Sequence, residues 1–257
     1  DAAGLAGMLT GYIGEDSKSL LDLGRGTAES KEILLRATPE YWGVDYADEG
    51  NDAVMDQYNS GEFPEVEADT VLCAGGLEYI EDPDAFLRKM CRGARKEIIL
   101  SYTGVNSGET ESAGALCGRK NNMTPKELMR RFRLCGLAVQ RADRAGSTMI
   151  WKLINERRMM IRVVQWKKLT YLEAVALYDL MEAVAQTNDL PGCMIETGCA
   201  LGGSGICMAH EKKEGRSLFV YDVFGMIPAP GEKDGADVIE RYDVIKEGKS
   251  RGIGGDT

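Results

Sequence analysis

Two stretches of the chain repeat one pattern. Leu20-Leu21-Asp22-Leu23-Gly24-Arg25-Gly26 and Met194-Ile195-Glu196-Thr197-Gly198-Cys199-Ala200-Leu201-Gly202-Gly203-Ser204-Gly205 are each an apolar run that ends in an acid and opens into a glycine-rich turn. A helix-compatible segment follows each, and then a second apolar run ending in aspartate: Tyr41-Trp42-Gly43-Val44-Asp45 and Leu218-Phe219-Val220-Tyr221-Asp222. From acid to aspartate the separations are 23 and 26 residues. This is the layout of a nucleoside-binding βαβ unit, in which glycines let the backbone approach the ligand and an acid further on takes the ribose hydroxyls. The chain therefore folds around two such units, and the second has only about 35 residues after Asp222.

A length of 257 residues suits one large or two small domains. The net charge of −10 disfavours a general nucleic-acid binder, which needs basic surface to displace counterions. No apolar run reaches the length of a membrane span, and no secretory pattern opens the chain. The first residue is Asp1 rather than Met, so the N-terminus is expected upstream. Seven cysteines without a CxxC pair read as buried thiols in a reduced, cytoplasmic setting.

Along the chain, a short helix is expected within 1–14, strands at 18–23 and 41–45 with a helix at 28–37 between them, and a short third strand at 53–56. Further strands are expected at 68–73 and 97–101, separated by a helix that opens on Asp82-Pro83, with Asp as cap and Pro in the first turn. Residues 104–123 read as a long loop. Thr124-Pro125-Lys126-Glu127 is a capping box, and 137–142 and 148–153 flank a Gly146 turn as an antiparallel hairpin. Alternating strands and helices imply a mainly parallel sheet covered on both faces. Glu156-Arg157-Arg158 reads as a charged linker. Thr170-Tyr171-Leu172-Glu173 reads as another capping box, with Leu172, Val175, Ala176, Leu180, Ala183 and Val184 on the apolar helix face that follows.

The third glycine of a dinucleotide fingerprint is absent, since position 29 is Glu, and there is no GK[ST]. The order of motifs is more specific: Asp22-Leu23-Gly24-x-Gly26, Gly43-Val44-Asp45, Leu72-Cys73-Ala74-Gly75-Gly76-Leu77-Glu78-Tyr79-Ile80, then Thr124-Pro125-x-Glu127-Leu128. In this order about residues 12–154 resemble the seven-stranded, Rossmann-like methyltransferases that depend on S-adenosylmethionine (SAM). The resemblance implies a seven-stranded α/β sheet with a closing antiparallel hairpin over 1–155. It places Asp22, Gly24 and Gly26 near the methionine part of the cofactor, Asp45 on the ribose and Asp56 near the adenine. It has the 72–79 segment, with Cys73 and Gly75, line the site beside the transferred methyl. Tyr79 stands where the family often has His, which leaves Glu78 and Tyr79 as weak catalytic candidates and the general base unassigned. Arg25 is a second departure, standing where many members have a small residue.

Residues 156–192 are expected to be a helical linker and 193–257 the front of a second methyltransferase-like domain. Ile195-Glu196-Thr197-Gly198, Gly202-Gly203-Ser204 and Tyr221-Asp222-Val223-Phe224-Gly225-Met226-Ile227-Pro228 resemble the macrocin-type sugar O-methyltransferases over about 160–257. That resemblance implies a cofactor site at Glu196, Gly198, Gly202, Gly203 and Ser204, with Asp222 on the ribose. The family's metal-binding carboxylates, which could hold Mg2+, would fall beyond Thr257, so no metal ligand is expected here and this unit alone is expected to be inactive. A sheet cut short exposes strand edges and apolar surface, so 193–257 is expected to be partly disordered or covered by a second copy of the chain.

Together these readings point to a bifunctional enzyme that uses SAM to methylate a hydroxyl of a sugar, glycan or sugar-bearing metabolite. Its partners would be a small-molecule or glycan acceptor and a possible homo-oligomer, with no nucleic acid and no membrane. A degenerate methyltransferase fold used for scaffolding or dimerisation is the first alternative. A nucleotide-dependent oxidoreductase is the second.

Overall fold

The computed structural model describes residues 2–24, 28–43, 57–104 and 118–250. The chain divides into two compact units, Asp1–Glu156 and Arg157–Thr257. The expected third strand at 53–56 and most of the expected 104–123 loop lie outside the described residues.

In the first unit, α1 (Ala2–Thr10) leads to β1 (Ser19–Asp22), α2 (Ala28–Leu35), β2 (Glu40–Gly43), β3 (Ala68–Ala74), a 3-10 turn (Leu77–Tyr79), α3 (Pro83–Gly93) and β4 (Ala94–Thr103). Then come α4 (Pro125–Leu134), β5 (Leu137–Ala145) and β6 (Thr148–Asn155). Six described strands form one sheet in the order β2-β1-β3-β4-β6-β5. The first four are parallel, and β6 runs antiparallel to both β4 and β5. This is a Rossmann-like, mainly parallel sheet, with six strands described rather than seven.

The central strands β1, β3, β4 and β6 alternate between two covered faces. Leu20, Leu72, Ile99 and Ile150 join Leu9 and Tyr12 near α1 and Leu34 of α2 in one core cluster. On the other side Gly93, at the end of α3, lies close enough to Leu21 and Val71 that an added Cβ would touch both, at 3.9 Å. Phe132 of α4 meets Trp151 of β6 edge-on at 5.6 Å. Burial on both faces explains the unbroken apolar runs of β1 and β3. The capping signals before α3 and α4 are realised: Asp82 accepts from Ala85 N, and Thr124 and Glu127 form a reciprocal box.

The second unit contains α5 from Glu156–Trp166, α6 (Ala174–Gln186), β7 (Met194–Thr197), α7 (Gly203–Glu211), β8 (Leu218–Tyr221) and α8 (Ala236–Lys246). Strands β7 and β8 pair in parallel and make a βαβ unit with α7. Two expectations are corrected. Glu156-Arg157-Arg158 is the first turn of α5 and not a linker; Arg157 is 1% exposed and paired with Glu211. The box at Thr170 does not form: Thr170 Oγ1 accepts from Leu172 N in a local turn, and α6 starts after Glu173 without a side-chain cap. With the start displaced, the buried face of α6 is Leu177, Tyr178, Met181 and Val184, while Leu172 and Val175 are exposed. Helix α8, in a stretch the sequence reading left without an element, buries none of its residues.

Candidate functional site

Chain order and strand order part company between β1 and β3. From β1 the chain goes outward to β2, then returns across β1 to lay β3 on its other side. Such a reversal opens a crevice at the carboxyl ends of the two strands, where ligands of open α/β sheets bind. The residues at these two ends are Asp22-Leu23-Gly24 and Cys73-Ala74-Gly75. Leu23 N donates to Leu72 O at 2.8 Å and keeps the strands joined to the lip of the crevice.

Asp22 is 3% exposed. Its Oδ1 accepts from Gly24 N at 3.3 Å and its Oδ2 from the Tyr41 hydroxyl at 3.0 Å. Burial pushes its carboxyl up to about 6, against the pull of both hydrogen bonds. Gly75, just past the end of β3, has φ +66, a conformation that favours glycine, with open space where a side chain would stand. Cys73 is fully buried, and burial together with the Glu78 and Asp22 carboxylates raises its thiol pKa, which makes it a packing residue and no nucleophile. Gly26, Asp45 and Asp56 lie outside the described residues.

Glu78 sits on the turn after β3, 2% exposed, with Oε1 accepting from Thr103 N at 2.6 Å. Its Oε2 is buried and has no hydrogen-bond partner among the described residues. Burial raises its carboxyl pKa, with the Thr103 amide opposing. The turn is clamped from the far side of the long loop. Lys120 N and Asn121 N donate to Glu78 O, and Asn121 Nδ2 donates to Leu77 O at 2.7 Å and Ile80 O at 2.8 Å. The Tyr102 hydroxyl donates to Asn121 Oδ1 at 2.9 Å and accepts from Met123 N at 2.6 Å. Tyr79 is half-buried, and its main-chain carbonyl accepts from Asn59 Nδ2 at 3.0 Å. Asn121, Tyr102 and Thr103 belong to no motif; the only sequence signal for them was their place at the ends of the long loop.

In the second unit the glycine turn folds back onto the end of β8. Gly198, at φ +80, donates to Tyr221 O at 2.8 Å, and Gly202, at φ +87, starts α7. Asp222 accepts from Ala200 N at 2.8 Å and from Phe224 N at 3.4 Å. Those hydrogen bonds, Ala200 first, hold its carboxyl below the ordinary range. Ala200 and Phe224 both have positive φ, so one carboxylate steadies two strained residues. Gly203 is a packing glycine: its amide donates to Leu169 O at 2.8 Å, and an added Cβ would stand 2.4 Å from that oxygen. Ser204 lies half-buried in the first turn of α7. Glu196 Oε2 is buried without a partner among the described residues, and an added Cβ on Gly205 would come within 2.7 Å of it. No group of three His, Cys, Asp or Glu side chains among the described residues is placed to hold a metal ion.

Residues 163–247, from inside α5 to the cap of α8, match the family described as Macrocin-O-methyltransferase (TylF). This segment is similar to the macrocin-type methyltransferases. It is about a third of the chain, and it bears out the resemblance drawn from the glycine turn and the Asp222 run. The matched stretch includes α6, which lies inside the 160–257 span of that resemblance. Among solved structures, the mitomycin 7-O-methyltransferase MmcR is similar at 15% identity, TM-score 0.44, over 60% of this chain and 53% of that one. The magnesium protoporphyrin IX methyltransferase (ChlM) from Synechocystis PCC 6803 with bound S-adenosylhomocysteine (SAH) is similar at 18% identity, TM-score 0.44, over 60% and 80%. TnmH is similar at 16% identity, TM-score 0.42, over 60% and 55%. The chain spans about half the length of the first of these structures. No curated protein matches the chain.

Proposed function

We propose that this protein is a SAM-dependent O-methyltransferase from a bifunctional two-domain enzyme, acting on a hydroxyl of a sugar, glycan or sugar-bearing metabolite. The observation that carries this reading is the strand-order reversal that sets Asp22, Gly24, Gly75 and Glu78 at or just after the carboxyl ends of two adjacent strands, in a chain whose second unit matches a methyltransferase family. The sugar acceptor and the two-domain architecture rest on the motifs of the second unit, as does Mg2+ for a complete second domain.

Within the first unit, Gly24 and Gly26 approach the cofactor backbone, Asp22 anchors the turn, and Asp45 and Asp56 hold ribose and adenine. Methyl transfer asks mainly for alignment of acceptor oxygen, methyl carbon and sulfur, because the sulfonium is already activated. In the second unit Glu196, Gly198, Gly202, Ser204 and Asp222 line the corresponding turn. No helix among the described residues is long and apolar enough to cross a membrane; a cytoplasmic setting is part of this reading, and none of the six described cysteines is in a disulfide.

A dimerisation role for the second unit is the second reading. It is favoured by the outer face of β7 and β8, where Ile195, Phe219 and Tyr221 are exposed. Calorimetric titration of SAM and SAH into wild type, Asp45→Ala and Asp222→Ala tests both. Loss of a single site in Asp45→Ala alone makes the first unit the methyltransferase. Loss of one site in each variant makes both units cofactor-binding. Absence of binding by wild type removes the enzyme reading and leaves the scaffold.

A further inference from the structure

A carboxylate oxygen buried without a partner is costly, and the cost is relieved by a cation or a donor that arrives with a ligand. Glu78 Oε2 is such an atom among the described residues. It lies on the first turn after β3, one of the two strands that bound the crevice, and its charge reaches the Cys73 thiol, as does that of Asp22. Asp22 ends β1 and Glu78 lies on the turn after its neighbour β3, so the two buried carboxyls belong to adjacent strand ends. Arg119 is the cation whose field reaches Glu78, and that guanidinium donates to Thr103 O at 2.8 Å. Tyr102 turns its hydroxyl to Asn121 and Met123, and the Glu78 charge only makes its proton harder to remove. The clamp by Asn121 and by the backbone of residues 120 and 121 fixes the turn, and the Thr103 amide holds Glu78 Oε1 at 2.6 Å.

We infer that Glu78 is the anionic partner of the cofactor's sulfonium, a specificity-determining residue that favours the charged methyl donor SAM over its neutral product SAH. This rests on the reading that the first unit binds SAM. The two ligands share their adenosine and amino-acid parts and differ at the sulfur, which is cationic only in SAM. A fixed, desolvated carboxylate beside that sulfur attracts the donor and releases its hold once the sulfur is neutral, so it also helps product leave.

Calorimetric titration of SAM and SAH into wild type, Glu78→Gln and Glu78→Asp tests this, with thermal melts to confirm folding. Glu78→Gln is expected to weaken SAM by about tenfold or more while SAH stays within about twofold. Glu78→Asp keeps the charge but draws it back by one methylene, and is expected to fall between the two. Should Glu78→Gln fail to fold, the aspartate variant carries the comparison alone. Equal losses for both ligands would mean that Glu78 only supports the turn, and would overturn the inference. So would an unchanged SAM to SAH ratio. Wild type that binds neither ligand would sink the cofactor reading itself, a result separate from either of these.

Discussion

Asp22 is held by two hydrogen bonds yet titrates near 6, because removal from water outweighs both of them. An unfolded aspartate ionises near its model value of 3.8, so the folded protein keeps a proton there that the unfolded chain has lost. Stability therefore falls as pH rises from about 4 to about 6, and the cost is complete above that window. Asp22→Asn is expected to melt higher than wild type at about pH 8, by on the order of 1–3 kcal/mol, with the gain closing near pH 4. Gly203 makes a different point. Its place in a glycine turn suggests contact with a ligand, but its missing side chain is what lets α7 meet Leu169. Gly203→Ala is expected to lower stability by on the order of 1–3 kcal/mol in denaturant titration. The sequence could name Asp22, Gly75 and Glu78 because they fall in motifs. It could not name Asn121 or Tyr102, whose importance comes from a clamp formed across a long loop.

The helix starts were legible where side chain and backbone agree. Thr124 and Glu127 satisfy each other's orphan groups before a face of Leu128 and Phe132, and the box forms as read. Thr170 and Glu173 have the same letters, but Thr170 spends its oxygen on Leu172 N, and α6 turns a different stripe inward. Arg157 was hidden for a related reason. Three charged residues in a row read as solvent-facing, but Arg157 Nε and Nη2 bond both Glu211 oxygens, at 2.9 and 2.7 Å, and tie α5 to α7. Glu211→Ala removes the carboxylate from a guanidinium that stays buried, and is expected to cost about 3–5 kcal/mol in the unfolding free energy of the second unit. Helix α8 escaped notice because it has no buried face to give it a period, only Asp237 near its start and Lys246 at its end.

At the scale of the molecule, the two units differ in how completely their sheets are covered. In the first, helices close both faces. In the second, Met194, Glu196, Leu218 and Val220 are partly covered, while Ile195, Phe219 and Tyr221 stand 60%, 49% and 57% exposed on the opposite face. Parallel strands are ordinarily buried on both sides, so this face is open apolar surface. Ile195→Thr combined with Phe219→Thr is expected to leave the melting temperature within about 2 °C and to reduce self-association in light scattering, because neither side chain fills a core. The placement of β6 has its own consequence. It is the last strand of the first unit to be synthesised, yet it lies between β4 and β5 rather than at an edge. A nascent chain still tethered to the ribosome at residue 147 would have β4 unpaired along the side that β6 later fills, with β5 waiting for a neighbour not yet made. The first domain thus closes from the inside in a single late step, and translation must carry residues 148–155 clear of the exit tunnel before its sheet can be finished.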